Sequence, residues 1–167
     1  SSFAEQMLVH EHACVAIRKD MPLDRAALIG CSVMTGVGAA IHTSSVRPGD
    51  TVAVFGLGGV GLAAVNGAAI AGAGRIIAID TVSSKSNLAK EFGATDFIDA
   101  SQTDAVKEVM EMTKGGVQHS FEAIGLTQTA EAAFNMLRRG GTANIIGMIP
   151  VGHKISLMGA AFLSEKR

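Results

Sequence analysis

The chain has 167 residues and balances 14 Lys and Arg against 15 Asp and Glu, which leaves a net charge of −1. It contains no block of like charges, and its aromatic content is 4%, with no Trp and no Tyr. These features argue against a nucleic-acid partner and against a membrane-surface partner, because both use clustered basic charge and single-stranded nucleic acids also use aromatic stacking.

The length predicts one domain with an ample core. Two apolar stretches, residues 26–41 and 60–73, fall short of the roughly 20 strongly apolar residues that a membrane span needs, so we predict that both are buried core. Cys14 and Cys31 match no C-x-x-C spacing, which favours reduced thiols and, for Cys14, a place in the core. The start of the chain has no signal-like segment and no initiator Met. We therefore expect a cytoplasmic protein and a piece of a longer one.

The first 50 residues predict short elements. Residues 3–17 alternate loosely between apolar and polar side chains and predict one or two short strands. Pro22 interrupts this pattern, and a helical run begins at Asp24. An irregular turn near Gly30 then leads into an Ala-rich helix, and residues 47–50 predict a turn before the next strand.

The chain is organised around residues 51–80, where an apolar strand runs into a G-x-G-x-x-G cluster. Gly56 permits a tight turn, Gly58 lets a pyrophosphate approach the backbone, and Gly61 lets the following helix lie against the strand. Free N–H groups at the start of that helix can bind an anion, helped by the helix dipole. A second strand ends in Asp80, about 20 residues further on, where a carboxylate can accept hydrogen bonds from both hydroxyls of a ribose. This stretch predicts a dinucleotide-binding site.

Strands and helices continue to alternate every ~20–25 residues, which predicts a parallel, doubly wound α/β sheet. The predicted strands cover residues 95–99, 117–124 and 142–147, and the predicted helices start near residues 84, 104 and 127 and end at residues 92, 113 and 137. Arg138 and Arg139 are expected near the end of the last helix, which Gly140 and Gly141 would terminate. Residues 155–157 are a candidate for a short further strand.

The combination of five sequence features is specific enough to indicate a family. They are GC-x-x-x-TG-x-G at residues 30–38, RPGDTVAVFGLGGVG at 47–61, Asp80, SFEAIG at 120–125 and GGTANIIGMIP at 140–150. Together they resemble the zinc-containing, medium-chain alcohol dehydrogenase family, in particular its class III-like and bacterial members. The resemblance covers essentially the whole chain.

This resemblance implies a Rossmann-type NAD-binding domain at residues 33–167, preceded by the trailing part of a catalytic (substrate) domain at residues 1–32. In the parent protein it implies zinc and reversible hydride transfer between a small-molecule alcohol and an aldehyde. Cys31 would be the last of three protein ligands of the catalytic zinc. The implied NAD contacts are Thr35, Gly56, Gly58, Gly59, Val60, Gly61, Asp80, Lys85, Ala123, Ile124, Ile146, Gly147 and Met148.

Several parts of the family pattern are missing from this sequence. They are the other zinc ligands, the structural zinc lobe, the proton relay and the sixth sheet strand, and Leu126 replaces an Arg that often follows the I-G pair. We therefore expect a sheet without its sixth strand, no catalytic residue in this chain, and no zinc bound to it. The chain by itself is expected to bind NAD and to be catalytically incomplete.

Three other functions remain open. A zinc-free quinone or enoyl reductase of the same superfamily is disfavoured by Cys31 and Asp80, and a methyltransferase is disfavoured by the regular strand–helix spacing. A non-catalytic, NAD-responsive binding domain describes the isolated chain equally well.

Two single residues also allow more than one interpretation. Lys85 is interpreted with equal weight as a ribose contact or as an exposed helix residue. Glu122 is interpreted as a hydrogen-bonded strand-end carboxylate rather than as a general base.

The strand expected at the edge of the sheet predicts that two copies of the chain associate. Without a sixth strand, residues 142–147 form an edge with few charges, and such edges tend to pair with another chain. We expect a homodimer formed through residues 142–157. The alternative is that the tail, residues 151–167, folds back over this edge and leaves a monomer.

Overall fold

The computed structural model describes residues 4–167. Helix α1 (Leu23–Thr43) alternates α-helical and π-helical turns, and it precedes α2 (Gly59–Ile70), α3 (Ser86–Glu91), α4 (Ala105–Thr113) and α5 (Thr127–Asn135). The strands are β1 (Thr51–Phe55), β2 (Arg75–Asp80), β3 (Asp96–Asp99), β4 (Val117–Glu122) and β5 (Leu137–Ile145). Short 3₁₀ turns lie at Glu11–Ala13, Ser83–Lys85 and Gly159–Ser164.

The strands form one parallel sheet in the order β3-β2-β1-β4-β5. The chain runs outward from β1 to β3 and then crosses to β4 on the other side of β1. This confirms the predicted doubly wound α/β fold. The topological switch point lies between β1 and β4, so the carboxyl ends of these strands flank the crevice where such sheets bind ligands.

Helices cover both faces of the sheet. Both faces of the central strands are therefore buried, which explains why the sequences of these strands are continuous apolar runs. On one face, α1, α2 and α3 pack on buried residues that include Val52, Val54 and Phe121. On the other face, α4, α5 and part of the tail pack on residues that include Ile77 and Ile79. Every residue of β1 after the first is buried.

Helices α1 and α2 cross with their backbones almost in contact. A Cβ on Gly36 would lie 2.3 Å from the carbonyl oxygen of Val60, and a Cβ on Gly67 would lie 2.9 Å from the Cα of Val37. Side chains do not fit at these two crossing points, so the glycines are required by packing rather than by backbone conformation.

Helix α1 is longer than the sequence predicted, because the helix continues through Gly30 in π-helical turns. An 18-residue window of this 21-residue helix has a mean hydropathy of 1.5, so by length and composition the helix could cross a membrane. The prediction that residues 26–41 are buried core is met only in the half that begins at Gly36, where Gly36, Ala39 and Ala40 are buried, whereas residues 27–31 and 33–35 are exposed. Core helices of globular proteins have the same composition, and the half of α1 that begins at Gly36 packs on α2.

The predicted strands near the start of the chain are not formed. Residues 4–17 contain a single 3₁₀ turn at Glu11–Ala13, and Phe3 lies outside the described residues. A strand needs a neighbour that pairs with its backbone groups. No strand of the described sheet pairs with this segment, so its alternating pattern alone does not produce a strand.

Strand β5 begins at Leu137, five positions earlier than predicted, and the helix before it ends at Asn135. Arg138, Arg139, Gly140 and Gly141 therefore belong to a strand and do not end a helix. The β4–β5 register shifts between Val117 and His119, and Gly140 has a φ of +74°. The two glycines accommodate this bulge, because a left-handed residue and a close backbone approach both favour glycine.

The tail folds back along the molecule. Residues 155–157 do not form the candidate strand, and the ring of Phe162 lies 5.3 Å from the ring of Phe134 on α5. The N–H of Arg167 donates to the carbonyl of Gly141 at 3.0 Å, and the carbonyl of Arg167 accepts from the N–H of Ala143. The last residue thus covers part of the outer edge of β5, as the folded-back alternative expected.

Candidate dinucleotide-binding site

A cleft of about 320 Å³ opens at the carboxyl ends of β1, β2 and β4. This is the switch-point crevice of the sheet. Six of the predicted cofactor contacts line it, namely Gly56, Gly58, Asp80, Lys85, Ala123 and Ile124. These residues come from three separate stretches of the sequence, and the sheet order brings them together.

The turn between β1 and α2 depends on two glycines. Gly56 has a φ of +84°, a left-handed conformation that other residues rarely adopt. Gly61 lies so close to the end of β1 that a Cβ there would be 1.7 Å from the carbonyl oxygen of Gly56. The helix can begin this close to the strand only if both positions are glycine.

The start of α2 is open to the cleft. Gly58 precedes the first helical residue in extended conformation, and no side chain caps the helix. A Cβ built on Gly58 would meet no atom within 4 Å, so the space above it is free for a ligand. The first N–H groups of a helix lack partners within the helix and carry a partial positive charge. The geometry therefore fits an anionic group such as a pyrophosphate.

Asp80 fixes the other side of the glycine turn. Its Oδ2 accepts hydrogen bonds from the N–H of Leu57 at 2.7 Å and from the ammonium of Lys85 at 2.9 Å. Its Oδ1 accepts from the N–H of Val82 at 3.0 Å. Burial would raise the pKa of the Asp80 carboxyl, but these three donors outweigh it and hold the pKa below its usual range. Asp80 is consequently anionic at neutral pH.

Lys85 reaches this carboxylate because the 3₁₀ turn Ser83–Lys85 brings it back over the end of β2. Its side chain is partly exposed and lines the cleft beside Asp80. This position agrees with the ribose-contact interpretation. A carboxylate has about four acceptor positions, so Asp80 can accept one further hydrogen bond from a ligand.

The opposite wall of the cleft follows β4. Glu122 is fully buried, and its Oε1 accepts from the N–H of Ile124 at 3.0 Å, the N–H of Gly125 at 2.8 Å and the hydroxyl of Thr129 at 2.7 Å. It is a hydrogen-bonded strand-end carboxylate, as interpreted from the sequence. Ile124 itself is exposed to the cleft and presents an apolar surface.

The remaining predicted contacts lie around this cleft and not in it. Gly59, Val60 and Gly61 form the first turn of α2. Thr35 and Ile146 line a separate hollow of about 610 Å³ between α1 and β5. Gly147 packs against the backbone of Gly125, and Met148 is 93% exposed. All of these positions lie near the carboxyl edge of the sheet or on α1 beside it.

Cys31 lies exposed in a π-helical turn of α1. Within residues 4–167, no three His, Cys, Asp or Glu side chains come together as a metal site. The described residues therefore do not fit a complete catalytic zinc site, which needs three protein ligands. Cys14 is also exposed, so its predicted place in the core is wrong, because the segment around it packs on nothing.

Sequence reasoning missed seven of the residues that line the cleft, among them Leu57, Val82, Ala100 and Thr129. Leu57 contributes a backbone N–H, for which its side-chain identity gives no signal. Val82, Ala100 and Thr129 line the cleft because the carboxyl ends of β2 and β3 and the first turn of α5 converge there. Thr129 could have been noticed as a hydroxyl in the first turn of a helix that follows a strand-end carboxylate.

Comparison with known proteins gives concordant matches. The sequence profile of a family described as "Zinc-binding dehydrogenase" matches residues 59–167. An S-(hydroxymethyl)glutathione dehydrogenase from Photobacterium damsela subsp. piscicida is 48% identical over 93% of this chain and 43% of its own length. An alcohol dehydrogenase class-3 from Pisum sativum is 42% identical over 93% and 42%, respectively. This chain thus spans less than half the length of these curated relatives.

Solved structures agree with these relatives. A benzyl alcohol dehydrogenase from Acinetobacter calcoaceticus matches with a TM-score of 0.87 and 33% identity, over 91% of this chain and 42% of that one. A putative zinc-binding dehydrogenase from Sinorhizobium meliloti 1021, described as bound to NADP, matches with a TM-score of 0.78 and 31% identity, over 82% and 41%.

Proposed function

The chain belongs to the zinc-binding dehydrogenase family, and we propose that it forms the NAD(H)-binding part of an alcohol dehydrogenase. The observation that carries this proposal is the cleft itself. An uncapped helix start lies beside a buried anionic Asp80, with the open space above Gly58 between them. A pyrophosphate and a ribose diol need these two environments side by side.

Each residue group has a proposed role in binding. The N–H groups of Gly59, Val60 and Gly61 hold the pyrophosphate, and Asp80 accepts from the adenosine ribose while Lys85 donates to it. Ala123 and Ile124 form the adenosine wall. Thr35, Ile146, Gly147 and Met148 border the nicotinamide half. When bound, the nicotinamide supplies the site that accepts or returns a hydride.

The parent reaction we propose is reversible oxidation of an alcohol to an aldehyde. The related S-(hydroxymethyl)glutathione dehydrogenase and benzyl alcohol dehydrogenase support an alcohol as the substrate class. Cys31 is the one described residue that we assign to a zinc site of the longer protein. Residues 1–32 are proposed to belong to its substrate domain, because every described residue before Met21 is exposed.

A preference for NAD over NADP is part of the proposal. The carboxylate of Asp80 repels a 2′-phosphate and accepts from a 2′-hydroxyl. The NADP-bound relative keeps the opposite preference open as a second candidate, and Lys85 is a cation that could favour it. Asp80 should dominate because it is more deeply buried than Lys85 and receives two backbone hydrogen bonds.

Three alternatives stand beside this proposal. A methyltransferase sheet carries a reversed hairpin, whereas all described strands here run parallel. A zinc-free reductase of the same superfamily stays open, as does a purely NAD-responsive domain. We propose a cytoplasmic location because both cysteines, Cys14 and Cys31, are free thiols.

Titration of NADH by its own fluorescence tests the proposal. The chain has no Trp and no Tyr, so protein emission does not interfere. We expect saturable binding of NADH that is tighter than binding of NADPH. Failure of both nucleotides to bind the folded chain would refute the proposed function, and tighter NADPH binding would refute its NAD preference.

A further inference from the structure

Glu122 has a hydrogen-bonding pattern that stability alone does not account for. Its carboxylate is completely buried at the end of β4. One oxygen, Oε1, accepts three hydrogen bonds, whereas the other, Oε2, has no hydrogen-bond partner among the described residues. Buried carboxylate oxygens are normally paired, because an unpaired one loses its hydration without compensation.

The three donors to Oε1 all belong to one wall of the cleft. Two are the N–H groups of Ile124 and Gly125, in the turn that follows β4, and the third is the hydroxyl of Thr129 in the first turn of α5. Ile124 and Thr129 both line the cleft with Asp80. The Glu122 side chain therefore ties the turn to the helix at the place where a ligand would contact both.

The second oxygen is held in place by close packing. The backbone carbonyl of Glu122 accepts from the N–H groups of Ile146 and Gly147 at 2.8 and 2.9 Å. A Cβ on Gly147 would lie 2.6 Å from Oε2 and 2.1 Å from the nitrogen of Gly125. The ends of β4 and β5 thus pack closely against each other beside this carboxylate.

We propose that Glu122 is a positioning residue, whose Oε1 fixes the adenosine-side wall of the cleft through Ile124, Gly125 and Thr129. The inference rests on the proposed NAD(H) binding and extends it to a residue that does not touch the cleft. Local rules of polar satisfaction are broken mainly at functional sites. The acceptor geometry of one oxygen, rather than the charge of the group, is the feature that this wall requires.

Three variants separate this role from a general loss of stability. Glu122→Ala removes the acceptor, and Glu122→Gln keeps an oxygen that can take the position of Oε1. Ser120→Ala is the matched control, because Ser120 is buried two residues earlier on β4 and donates to the carbonyl of Ala133 on α5 at 2.7 Å. It removes one buried hydrogen bond between the same strand and helix without changing the cleft.

The measurements are the dissociation constants for NADH and for ADP-ribose, which lacks only the nicotinamide ring, and the thermal midpoint of each variant. Glu122→Ala should weaken both ligands by about tenfold and by the same factor, because three hydrogen bonds to one wall are lost. Glu122→Gln should stay within about threefold of the unaltered chain. Ser120→Ala should lower the thermal midpoint and leave both constants unchanged.

If Glu122→Ala does not fold, Thr129→Val replaces it in the test, since this variant removes one donor to Oε1. It should weaken the binding of ADP-ribose by about threefold. Unchanged ADP-ribose binding in Glu122→Ala, or in Thr129→Val in its place, would overturn the inference. So would equal weakening in Ser120→Ala, or a loss in Glu122→Gln as large as that in Glu122→Ala. If the unaltered chain bound neither ligand, the proposed function would fail first, and the inference with it.

Discussion

The ammonium of Lys85 lies 2.9 Å from Oδ2 of Asp80, the same oxygen that accepts from the N–H of Leu57 at 2.7 Å. One carboxylate thus joins the end of β2 to the glycine turn after β1 and holds a cation beside the cleft. Because Asp80 balances Lys85, the cleft has no free cation at this position. Removing Asp80 would leave the ammonium available to a ligand.

Asp80→Ala should therefore change cofactor selectivity. We expect NADH binding to weaken by about tenfold, because the ribose acceptor is lost. NADPH binding should strengthen, because Lys85 can then pair with the 2′-phosphate. Fluorescence titrations of both nucleotides measure the ratio. Asp99→Ala, at the end of the neighbouring strand β3, is the control and should leave the ratio unchanged.

The double variant Asp80→Ala with Lys85→Ala checks the cause of any NADPH gain. It should lose that gain while keeping the weakened NADH binding. If the double variant bound NADPH as tightly as Asp80→Ala did, the ammonium would not be responsible, and the role assigned to Lys85 would be wrong.

Gly58 and Gly61 should respond differently to the same substitution. A Cβ at Gly58 meets no atom within 4 Å, so Gly58→Ala should fold normally and lose NADH affinity by tenfold or more, because the methyl group occupies the space above the helix start. A Cβ at Gly61 would be 1.7 Å from the carbonyl oxygen of Gly56, so Gly61→Ala should lower the free energy of unfolding by about 3 kcal/mol or prevent folding.

Thermal denaturation and NADH titration of both variants test this difference. Gly30→Ala in helix α1 is the control, because its Cβ also meets nothing within 4 Å. It should raise stability by roughly 0.5 kcal/mol, since alanine is the better helix former. Normal NADH binding by Gly58→Ala would show that the pyrophosphate does not lie over this residue.

The ion pair between Arg75 and Asp96 should make stability depend on acid pH. The guanidinium of Arg75 contacts both carboxylate oxygens of Asp96, at 2.9 and 2.8 Å, and outweighs burial to hold the pKa of Asp96 below its usual range. A carboxyl whose folded pKa is depressed stabilises the folded state above its unfolded pKa. That stabilisation is lost as the pH falls through the folded pKa.

Urea denaturation at pH 7 and at steps below pH 4 measures this effect. Asp96→Asn should lower the free energy of unfolding at pH 7 by about 0.5 kcal/mol, a small value because both side chains are partly exposed. It should also flatten the decline below pH 4, although Asp80 contributes with the same sign. An unaltered slope in Asp96→Asn would contradict the assignment.

We also predict that the chain alone neither holds stoichiometric zinc nor oxidises alcohols. Cys31 is the one assigned ligand among the described residues, and a catalytic zinc site needs three protein ligands with an ordered surrounding shell. Elemental analysis of the purified chain and an assay with ethanol and a long-chain alcohol test this. Tightly bound zinc together with turnover would mean that the ligands lie elsewhere in the sequence.

The glycine turn and Asp80 could be placed from sequence because each glycine there has its own steric reason. Gly56 needs a positive φ and Gly61 needs a backbone contact, and the structure has both features. The parallel, doubly wound fold class followed from the regular alternation of strands and helices. These features are local or depend on simple periodicity, so they can be predicted from a single sequence.

Other features depend on contacts that the sequence does not indicate. Gly140 and Gly141 suit a helix end as well as a β-bulge, and pairing with β4 decides between the two. The continuity of α1 through Gly30 is equally invisible, since glycine normally interrupts a helix pattern. The contacts of Glu122 with Thr129 and Gly147 arise only when the ends of β4 and β5 meet.

The last prediction concerns association through β5. Arg167 pairs with Gly141 and Ala143 on the outer edge of this strand, and alternation along the strand places the N–H of Ile145 on the same edge. Ile145 is 40% exposed, and Met148 and Val151 nearby are almost fully exposed. An edge that is covered at one end and apolar at the other favours pairing with a second copy. We therefore expect a homodimer that involves Ile145 to Leu157. Sedimentation equilibrium over a concentration series should detect this homodimer. Ile155→Lys should shift the equilibrium toward the monomer, whereas the control Lys154→Ala should leave the equilibrium unchanged. A monomer at all concentrations would mean that the folded-back tail protects the edge.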